Sequence, residues 1–487
     1  MKTNLTETQK DYAVFLPSIS GFYGTFVGKQ RYEDYVDPSR VPAGLGNVES
    51  LNFLNPKDGA FHYKWALYSA GHADLDTTKF VDKEDMVRNR DRDNSWLLGD
   101  SGGFQIAKGL WPGDWTSETC PHANKKRELV VNWMEEYMDY GMMLDIPTWT
   151  FQSAKASKAT NIKSYDDAVK ATHINARYYM KHRRGNFKVL NVLQGSNHTN
   201  ADSWYEEFKG YCDPKQYPDT HFNGWAMGGQ NMCDVHLILR RLVHMIHDGL
   251  LEQGLHDVMH FLGTSKLEWA LVLTAIQRGV RKNHNENFTI TFDCASPFLC
   301  TANGQFYTGH RLDHNGKWSY MMGDAFDDRQ LATNTTSYDD YATQHCAQYG
   351  HTWMPTPLSE GLKVNDICCY APGDTNRMGT ETKTSWDSFA YMLMMNHNTY
   401  THINSVQAAN RAYDAGDYPS MLVDNRFDRT EVKDVIARIF ELDDKEKALK
   451  MIDDHEKLWM MVVGTRGAVG KKTVNTSAQF NSLFEAV

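Results

Sequence analysis

The sequence has little cysteine, no long apolar run and no excess of positive charge, and each shortage excludes a class of protein. Eight cysteines spread unevenly over 487 residues do not make the disulfide framework of a small secreted domain. No apolar stretch approaches the roughly 20 residues needed to span a bilayer. The formal net charge of −10 argues against binding of nucleic acid over the whole surface, but it leaves room for a local basic groove.

The composition nevertheless favours a folded protein. Hydrophobic residues make up 41% of the chain and aromatic residues 12%, which excludes wholesale disorder. The first residues, MKTNLTETQKDY, lack the apolar segment of a signal peptide. We therefore expect a globular, cytoplasmic protein that does not associate with a membrane.

The middle of the chain alternates short apolar runs with stretches of helical periodicity, the pattern of repeated βαβ units. Strands are predicted at 12–16, 64–69, 95–99, 141–144, 187–193, 222–227, 258–262 and 288–292, and helices at 127–139, 165–184, 234–249 and 266–282. Eight strands would close an α/β fold into a TIM-like (β/α)8 barrel. We favour the barrel over an open doubly wound sheet because no glycine-rich dinucleotide turn follows an early strand.

The same pattern divides the chain into three parts. Residues 1–304 would form the barrel. Residues 305–384 are polar and rich in Asp, Asn and Gly, which indicates an irregular insertion or a zinc-binding subdomain. Residues 385–487 return to helical periodicity, and we expect them to complete or flank the barrel.

Polar residues and glycines recur directly after the predicted strands. They are Asp100, Asp145, Gln194, Gly228, Gly229, Gln230, Gly263 and Asp293. The carboxyl ends of barrel strands form one rim, so these residues would surround one pocket; for any single Asp, capping of the next turn is the alternative. Two carboxylates at one cavity suit glycosyl chemistry, in which one attacks an anomeric carbon and the other moves a proton. The glycines would admit a planar ring.

Several segments resemble the tRNA-guanine transglycosylase family. The segment 97–105, LLGDSGGFQ, is similar to the DSGGFQ motif of that family. VLQG at 192–195, AMGG at 226–229, LGTSK at 262–266 and FDC at 292–294 follow in the family's order. DSGGFQ is the specific signal, and the order of the others adds to it. The residues before Leu97 and most of those after Gly304 resemble the family poorly.

The resemblance implies a base exchange by double displacement that needs no cofactor. Asp293 would be the nucleophile that forms a covalent glycosyl-enzyme and expels guanine. Asp100 would be the general base for an incoming 7-deazaguanine base, preQ0 or a relative. The other matching positions contact the base: Ser101 lies beside it, Phe104 and Leu262 sandwich it, and Asp145, Gln194, Gly228 and Gly229 border or read its edge.

One motif departs from the tRNA-acting members. Residues 297–304 read PFLCTANG, and Leu299 and Ala302 stand where those members have arginines that contact the tRNA backbone. Loss of two phosphate-contacting cations weakens binding and its salt dependence. The chain is therefore most similar to the DNA-acting branch known from phages and bacterial genomic islands, and it would work in the host cytoplasm if a phage encodes it. The alternatives are tRNA as substrate, a non-catalytic partner subunit, and a sugar hydrolase.

Two groups of basic residues are candidates for a replacement groove. They are Arg183, Arg184 and Lys188, and Arg278, Arg281 and Lys282. Basic residues at helix ends also serve as partners of the helix dipole and as solvated surface, and this alternative stays open.

The family also carries a structural zinc site of three cysteines and a histidine. The candidate ligands here are Cys346, Cys368, Cys369 and His397, at a spacing that departs from the family's. The alternative is that the cysteines are small buried hydrophobic residues and that His397 is an ordinary core or surface histidine.

Overall fold

The structure is a computed structural model, and it describes residues 3–30, 36–78, 85–314, 316–425 and 429–463. Eight parallel strands close into a barrel within these ranges. They are β1 (Val14–Ile19), β2 (Trp65–Ser69), β3 (Trp96–Asp100), β4 (Tyr140–Met142), β5 (Lys188–Leu193), β6 (Gly224–Met227), β7 (Val258–Phe261) and β8 (Thr289–Cys294). β8 pairs with β1 and closes the ring. The predicted α/β barrel is confirmed, and each predicted strand overlaps an observed one.

Helices follow the strands and cover the outside of the barrel. They are α1 (Gly21–Lys29), α2 (Gly103–Ala107), α3 (Pro121–Tyr137), α4 (Ala154–Thr160), α5 (Tyr165–His182), α6 (His198–Phe208), α7 (Val235–His247) and α8 (Leu267–Asn283). The ends of α7 illustrate how the sequence sets a helix. The Asp234 side chain accepts the Leu237 N–H at its start, and Gly249 takes a left-handed φ of +71° just after its end.

Alternation along the strands decides which residues face the inside of the barrel. A Cβ added at Gly99 of β3 would lie 2.8 Å from Met138 Cγ, on the helix side. Its neighbours Leu98 and Asp100 therefore face inwards. The same alternation places an upper layer at the carboxyl ends of six strands: Ser69, Asp100, Gln194, Gly228, Leu262 and Asp293. The layer below it contains Leu67, Leu98, Val192, Ala226, His260 and Thr291.

The chain after the barrel is more regular than the predicted insertion. It contains α9 (Ser296–Ala302), the antiparallel hairpin β9 (Gln305–Arg311) and β10 (Ser319–Asp324), α10 (Tyr338–Gln348) and α11 (Val364–Ile367). The sequence of 305–384 did not predict these helices and strands because the residues on their outer faces are polar.

Four further helices complete the described chain. They are α12 (Ser388–Asp414), α13 (Val432–Phe440), α14 (Lys445–Asp454) and α15 (Glu456–Val463). The long α12 packs against α8, α9 and β9, and the last three helices pack on α7 and α8. None of the helices in the described ranges has the length and apolar character that crossing a membrane requires.

Candidate functional site

Asp100 lies at the end of β3 in a tight hydrogen-bonded setting. Ser69 is its cross-strand partner on β2, and the Ser69 hydroxyl donates to Asp100 Oδ2 at 2.5 Å. The Gly102 N–H donates to Oδ1 at 3.4 Å. Burial raises the pKa of Asp100, the two hydrogen bonds oppose that rise, and the negative charge of Asp293 adds to it. The two aspartates are therefore electrostatically coupled across the mouth of the barrel.

Asp293 lies at the end of β8, and its side chain is 13% exposed. The Gly263 N–H donates to Asp293 Oδ1 at 2.8 Å. The Nε2 atom of His260 lies 3.2 Å from the same oxygen, and its Nδ1 atom lies 2.9 Å from Thr291 Oγ1. The surroundings thus hold one carboxylate oxygen, Oδ1, from two sides.

Asp145 and Gln194 form a buried pair on the neighbouring side of the mouth. Gln194 Nε2 donates to Asp145 Oδ2 at 2.8 Å. Burial raises the pKa of Asp145 to about 7, against the bond from Gln194, and the charge of Asp100 contributes to the rise. A Cβ added at Gly103 would lie 2.7 Å from the Asp145 carbonyl oxygen, so α2 begins in direct contact with this residue. The carboxyl can change its charge near neutral pH.

The glycines after β6 let two strand-end turns approach each other. Gly229 has a φ of +56°, and a Cβ there would lie 2.3 Å from the Gly195 carbonyl oxygen. A Cβ at Gly228 would lie 2.8 Å from Gln194 Nε2. At Gly229 the backbone after β5 fills the space that a side chain would need, and at Gly228 the Gln194 amide lies in that space. The absence of side chains here leaves room for the Gln194 amide.

The residues expected to enclose a base lie around the same mouth. Ser101 is buried. Phe104 on α2 meets Trp149 edge-on, with ring centroids 5.9 Å apart. Leu262 directly follows β7 and is half-buried. Since β3 and β7 are four strands apart in the barrel, Phe104 and Leu262 approach the mouth from opposite sides.

His397, a predicted zinc ligand, is bonded within the protein core. Its Nδ1 atom lies 3.0 Å from Thr356 Oγ1 and its Nε2 atom 2.9 Å from the Tyr307 carbonyl oxygen. The ring stacks on Trp353 at a centroid distance of 4.8 Å. Burial lowers the pKa of His397 to about 4. Both ring nitrogens are engaged, so His397 does not fit the role of a zinc ligand.

The predicted cysteine ligands do not complete a metal site either. Cys346 is buried in α10, and Cys368 Sγ donates to the Phe326 carbonyl oxygen at 3.4 Å. Cys369 lies beside Asp387 and Arg40. Across the described ranges no three His, Cys, Asp or Glu side chains are grouped as a metal site. The four residues do not form the zinc site that the resemblance implies, because each is used in local packing.

The two basic groups lie away from the carboxylates. Arg183 donates to the His221 carbonyl oxygen at 2.7 Å, and Arg281 donates to that of Phe288 at 2.5 Å. These acceptors precede β6 and β8, at the amino ends of the strands. Arg278 is held between two aspartates by ion pairs. The groups therefore sit at the opposite end of the barrel and do not border the candidate site.

Two cavities lie beside the barrel. One of about 290 Å³ lies between α9, the β9–β10 hairpin and α12, with Ser265 and Ser296 on its barrel side and Leu299 in its wall. A larger one of about 630 Å³ is lined by residues of the N-terminal segment and of the insertion. Neither of the two is lined by Asp100 or Asp293. The chemistry of the strand ends, and not cavity size, locates the candidate site.

Sequence reasoning missed two residues that lie against the two aspartates, Ser69 and His260. Ser69 is the last residue of its predicted strand, whereas Asp100 and the other candidates directly follow their strands. His260 is a polar residue at an inward position of a predicted apolar strand. That mismatch between residue type and position is the signal that could have found it.

No protein-family model matches this chain, and no curated protein matches it.

Proposed function

We propose that the protein exchanges guanine for a 7-deazaguanine base in DNA, through a covalent bond between Asp293 and the sugar. The observation that carries the proposal is that β3 and β8 of one closed barrel have Asp100 and Asp293 at their carboxyl ends, so that both lie at one barrel mouth. Paired carboxylates at one cavity are the arrangement that glycosyl transfer uses. Their placement within DSGGFQ-like and FDC-like segments points to a base exchange and not to hydrolysis of a sugar polymer.

In the first half-reaction, Asp293 attacks the anomeric carbon of the target nucleotide. A bond forms between the carboxylate and that carbon, the bond to guanine N9 breaks, and guanine leaves with the electron pair. The departing base needs a proton. Asp100 is suited to supply it, because burial raises its pKa and a protonated fraction is then present at higher pH.

In the second half-reaction, the incoming 7-deazaguanine gives its N9 proton to Asp100. N9 attacks the anomeric carbon, the ester bond to Asp293 breaks, and its electron pair returns to the carboxylate. The Ser69 hydroxyl donates to Asp100 Oδ2 and so stabilises the ionised form that accepts the proton. The two half-reactions thus use the same two side chains in opposite directions.

The Asp145–Gln194 pair supports recognition of a guanine-type edge. Such an edge presents N–H donors beside a carbonyl acceptor. An ionised carboxylate accepts, and a carboxamide both donates and accepts. Gln194 Nε2 already fixes one oxygen of Asp145, which leaves the other oxygen and the second amide hydrogen for the base.

DNA is favoured over tRNA by the positions that lack arginine. Leu299 and Ala302 lie on α9. Leu299 lines the cavity of about 290 Å³, and its apolar side chain cannot pair with a phosphate. A duplex would bury the bond that has to be broken, so the target nucleotide has to be flipped out or met in a single strand. Phe104 and Leu262, on opposite sides of the mouth, would then hold the base between them.

The experiment is a release assay with guanine labelled by tritium. Single-stranded DNA, duplex DNA and tRNA carrying the label are each incubated with the protein and with preQ0. Release from DNA alone supports the proposal, and release from tRNA alone supports the tRNA alternative. Release from none of the three favours the non-catalytic subunit.

Asp293→Ala tests the assigned nucleophile. The variant should release no label and form no covalent adduct, whereas the exposed-site control Asp219→Asn should behave as the wild type. Exchange by Asp293→Ala would show that another group attacks the sugar.

A further inference from the structure

His260 and Thr291 are polar residues in an otherwise apolar layer of the barrel. The neighbouring inward positions one level below the rim are Leu67, Leu98, Val192 and Ala226, which are buried aliphatic residues. His260 has 0% and Thr291 1% of its surface exposed. Polar side chains in such a place lose their hydration and are kept only where a partner compensates. The presence of His260 and Thr291 in this apolar layer therefore requires a structural or functional reason.

The register of the strands brings the two residues and Asp293 into one line. Thr291 and His260 are cross-strand partners on β8 and β7, and Asp293 lies two residues beyond Thr291 on the same inward face. His260 Nδ1 is 2.9 Å from Thr291 Oγ1, and Nε2 is 3.2 Å from Asp293 Oδ1. Nε2 is buried and makes no hydrogen bond of standard geometry in the described part of the chain, so its 3.2 Å approach to Oδ1 is a close polar contact. The imidazole therefore lies directly beneath the nucleophile.

The arrangement of donors distinguishes the two oxygens of Asp293. Oδ1 accepts the Gly263 N–H at 2.8 Å and faces His260 Nε2. With the Thr291 hydroxyl as donor to Nδ1, the ring carries a proton on Nε2, 3.2 Å from Oδ1. Oδ2 receives neither of these two donors.

We propose that His260 is a positioning residue that, with the Gly263 N–H, holds Asp293 Oδ1, so that Oδ2 is the atom that attacks the sugar. The role rests on the proposed function and adds to it the identity of the attacking atom. The bond from Oδ2 to the anomeric carbon forms as the bond to guanine N9 breaks. In the second half-reaction that bond breaks, and its electron pair returns to a carboxylate whose charge the two N–H donors stabilise.

The test compares variants by single-turnover release of tritium-labelled guanine from single-stranded DNA. His260→Phe keeps a flat ring without the donor and should slow release by about 10²-fold, because the carboxylate is no longer held in its attacking orientation. The KM for DNA should change much less, because His260 does not touch the polymer. His260→Gln restores an N–H and should recover part of the rate.

A second pair of variants covers the case in which His260→Phe does not fold. Thr291→Val keeps the shape of the side chain and removes the hydroxyl that sets the ring tautomer. Thr291→Ser keeps the hydroxyl. We expect Thr291→Val to lose about tenfold in single-turnover rate and Thr291→Ser to stay near the wild-type rate, with circular dichroism spectra the same for both.

The outcomes separate the positioning role from the function it serves. Unchanged rates in His260→Phe and Thr291→Val, with release by the wild type intact, overturn the positioning role and leave the base exchange standing. Equal losses in His260→Gln and His260→Phe, or in Thr291→Ser and Thr291→Val, also overturn it, because a packing defect is then sufficient. Absence of release by the wild type from DNA and tRNA overturns both proposals together.

Discussion

Replacing Asp145 by Asn should change how the stability of the protein depends on pH. The buried carboxyl has a pKa of about 7, against an ordinary value of 3.8, chiefly because burial disfavours its charged form. Below pH 3.8 the group is protonated in the folded and in the unfolded chain. Between pH 3.8 and 7 the unfolded chain releases the proton and the folded protein keeps it, so stability falls as pH rises. Above pH 7 the full loss persists.

The size of the effect follows from the two pKa values. Moving from 3.8 to about 7 corresponds to a loss of about 4 kcal/mol, at about 1.4 kcal/mol for each pH unit. Asn has nearly the same shape, can still accept the Gln194 amide and carries no charge at any pH. The stability of Asp145→Asn relative to the wild type should therefore increase by up to about 4 kcal/mol between pH 4 and 8.

Urea denaturation of both proteins at each pH unit from 4 to 8 measures the difference. Asp219→Asn is the matched control, because Asp219 is exposed and should follow the wild-type curve. Parallel curves for Asp145→Asn and the wild type, with a constant offset, would refute the reasoning. They would mean that the carboxyl is solvated in the folded protein.

Asp145→Asn should also lower activity at the pH values at which it raises stability. An amide offers one acceptor oxygen where the ionised carboxylate offers two, and its N–H faces the donors of a guanine edge. Loss of a hydrogen bond to a charged group corresponds to a decrease of about 10- to 100-fold in kcat/KM for guanine exchange. A variant that is more stable at pH 8 and equally active would contradict the assignment of Asp145 to base recognition.

Three further predictions concern other parts of the molecule. Asp100→Asn should slow both half-reactions by about 10²- to 10⁴-fold, measured as release of labelled guanine and as incorporation of preQ0; unimpaired turnover would count against its role. Gly229→Ala should destabilise the protein by more than about 3 kcal/mol in urea, whereas Gly254→Ala, at φ +82° with open space around it, should lose only about 1 kcal/mol. His397 and His402, whose pKa values burial lowers to about 4 and about 3, should each add a proton on unfolding at pH 5. In the Asp145→Asn background, which removes the opposing titration of Asp145, stability should then fall as pH decreases below 6.5; a flat profile from pH 6.5 to 4.5 in that background would show that the two rings are hydrated.

The barrel could be predicted because its strands are short apolar runs separated by helical periodicity. Residues 187–193, for example, are apolar on both faces since one face meets the barrel interior and the other meets helices. Strand ends were less certain, as in β1, which begins at Val14 and extends to Ile19. Pro17 interrupts the apolar pattern, but the strand continues past it to Ile19. The closed barrel supplies neighbouring strands on both sides that pair with β1.

Residues of the candidate site could be predicted where they belong to a sequence motif. They could not be predicted where their role depends on a neighbour in another strand. Asp100 and Asp293 follow strands and belong to motif-like segments. His260 has no motif, and its importance follows only from the register that sets Thr291 beside it. His397, a predicted zinc ligand, is instead hydrogen-bonded through both ring nitrogens to Thr356 and to the Tyr307 carbonyl oxygen. Pairing across strands is a property of the closed barrel that linear spacing does not contain.

The way α12 covers the β8–β1 junction bears on how the chain folds. Phe15 of β1 packs on Phe292 of β8 at 5.6 Å and stacks on His402 of α12 at 4.2 Å. The two strands are the first and last of the barrel in sequence, so their pairing closes the longest loop of any strand pair in the barrel. Because α12 covers this junction from outside, we expect the barrel to gain its full cooperativity only when α12 has docked.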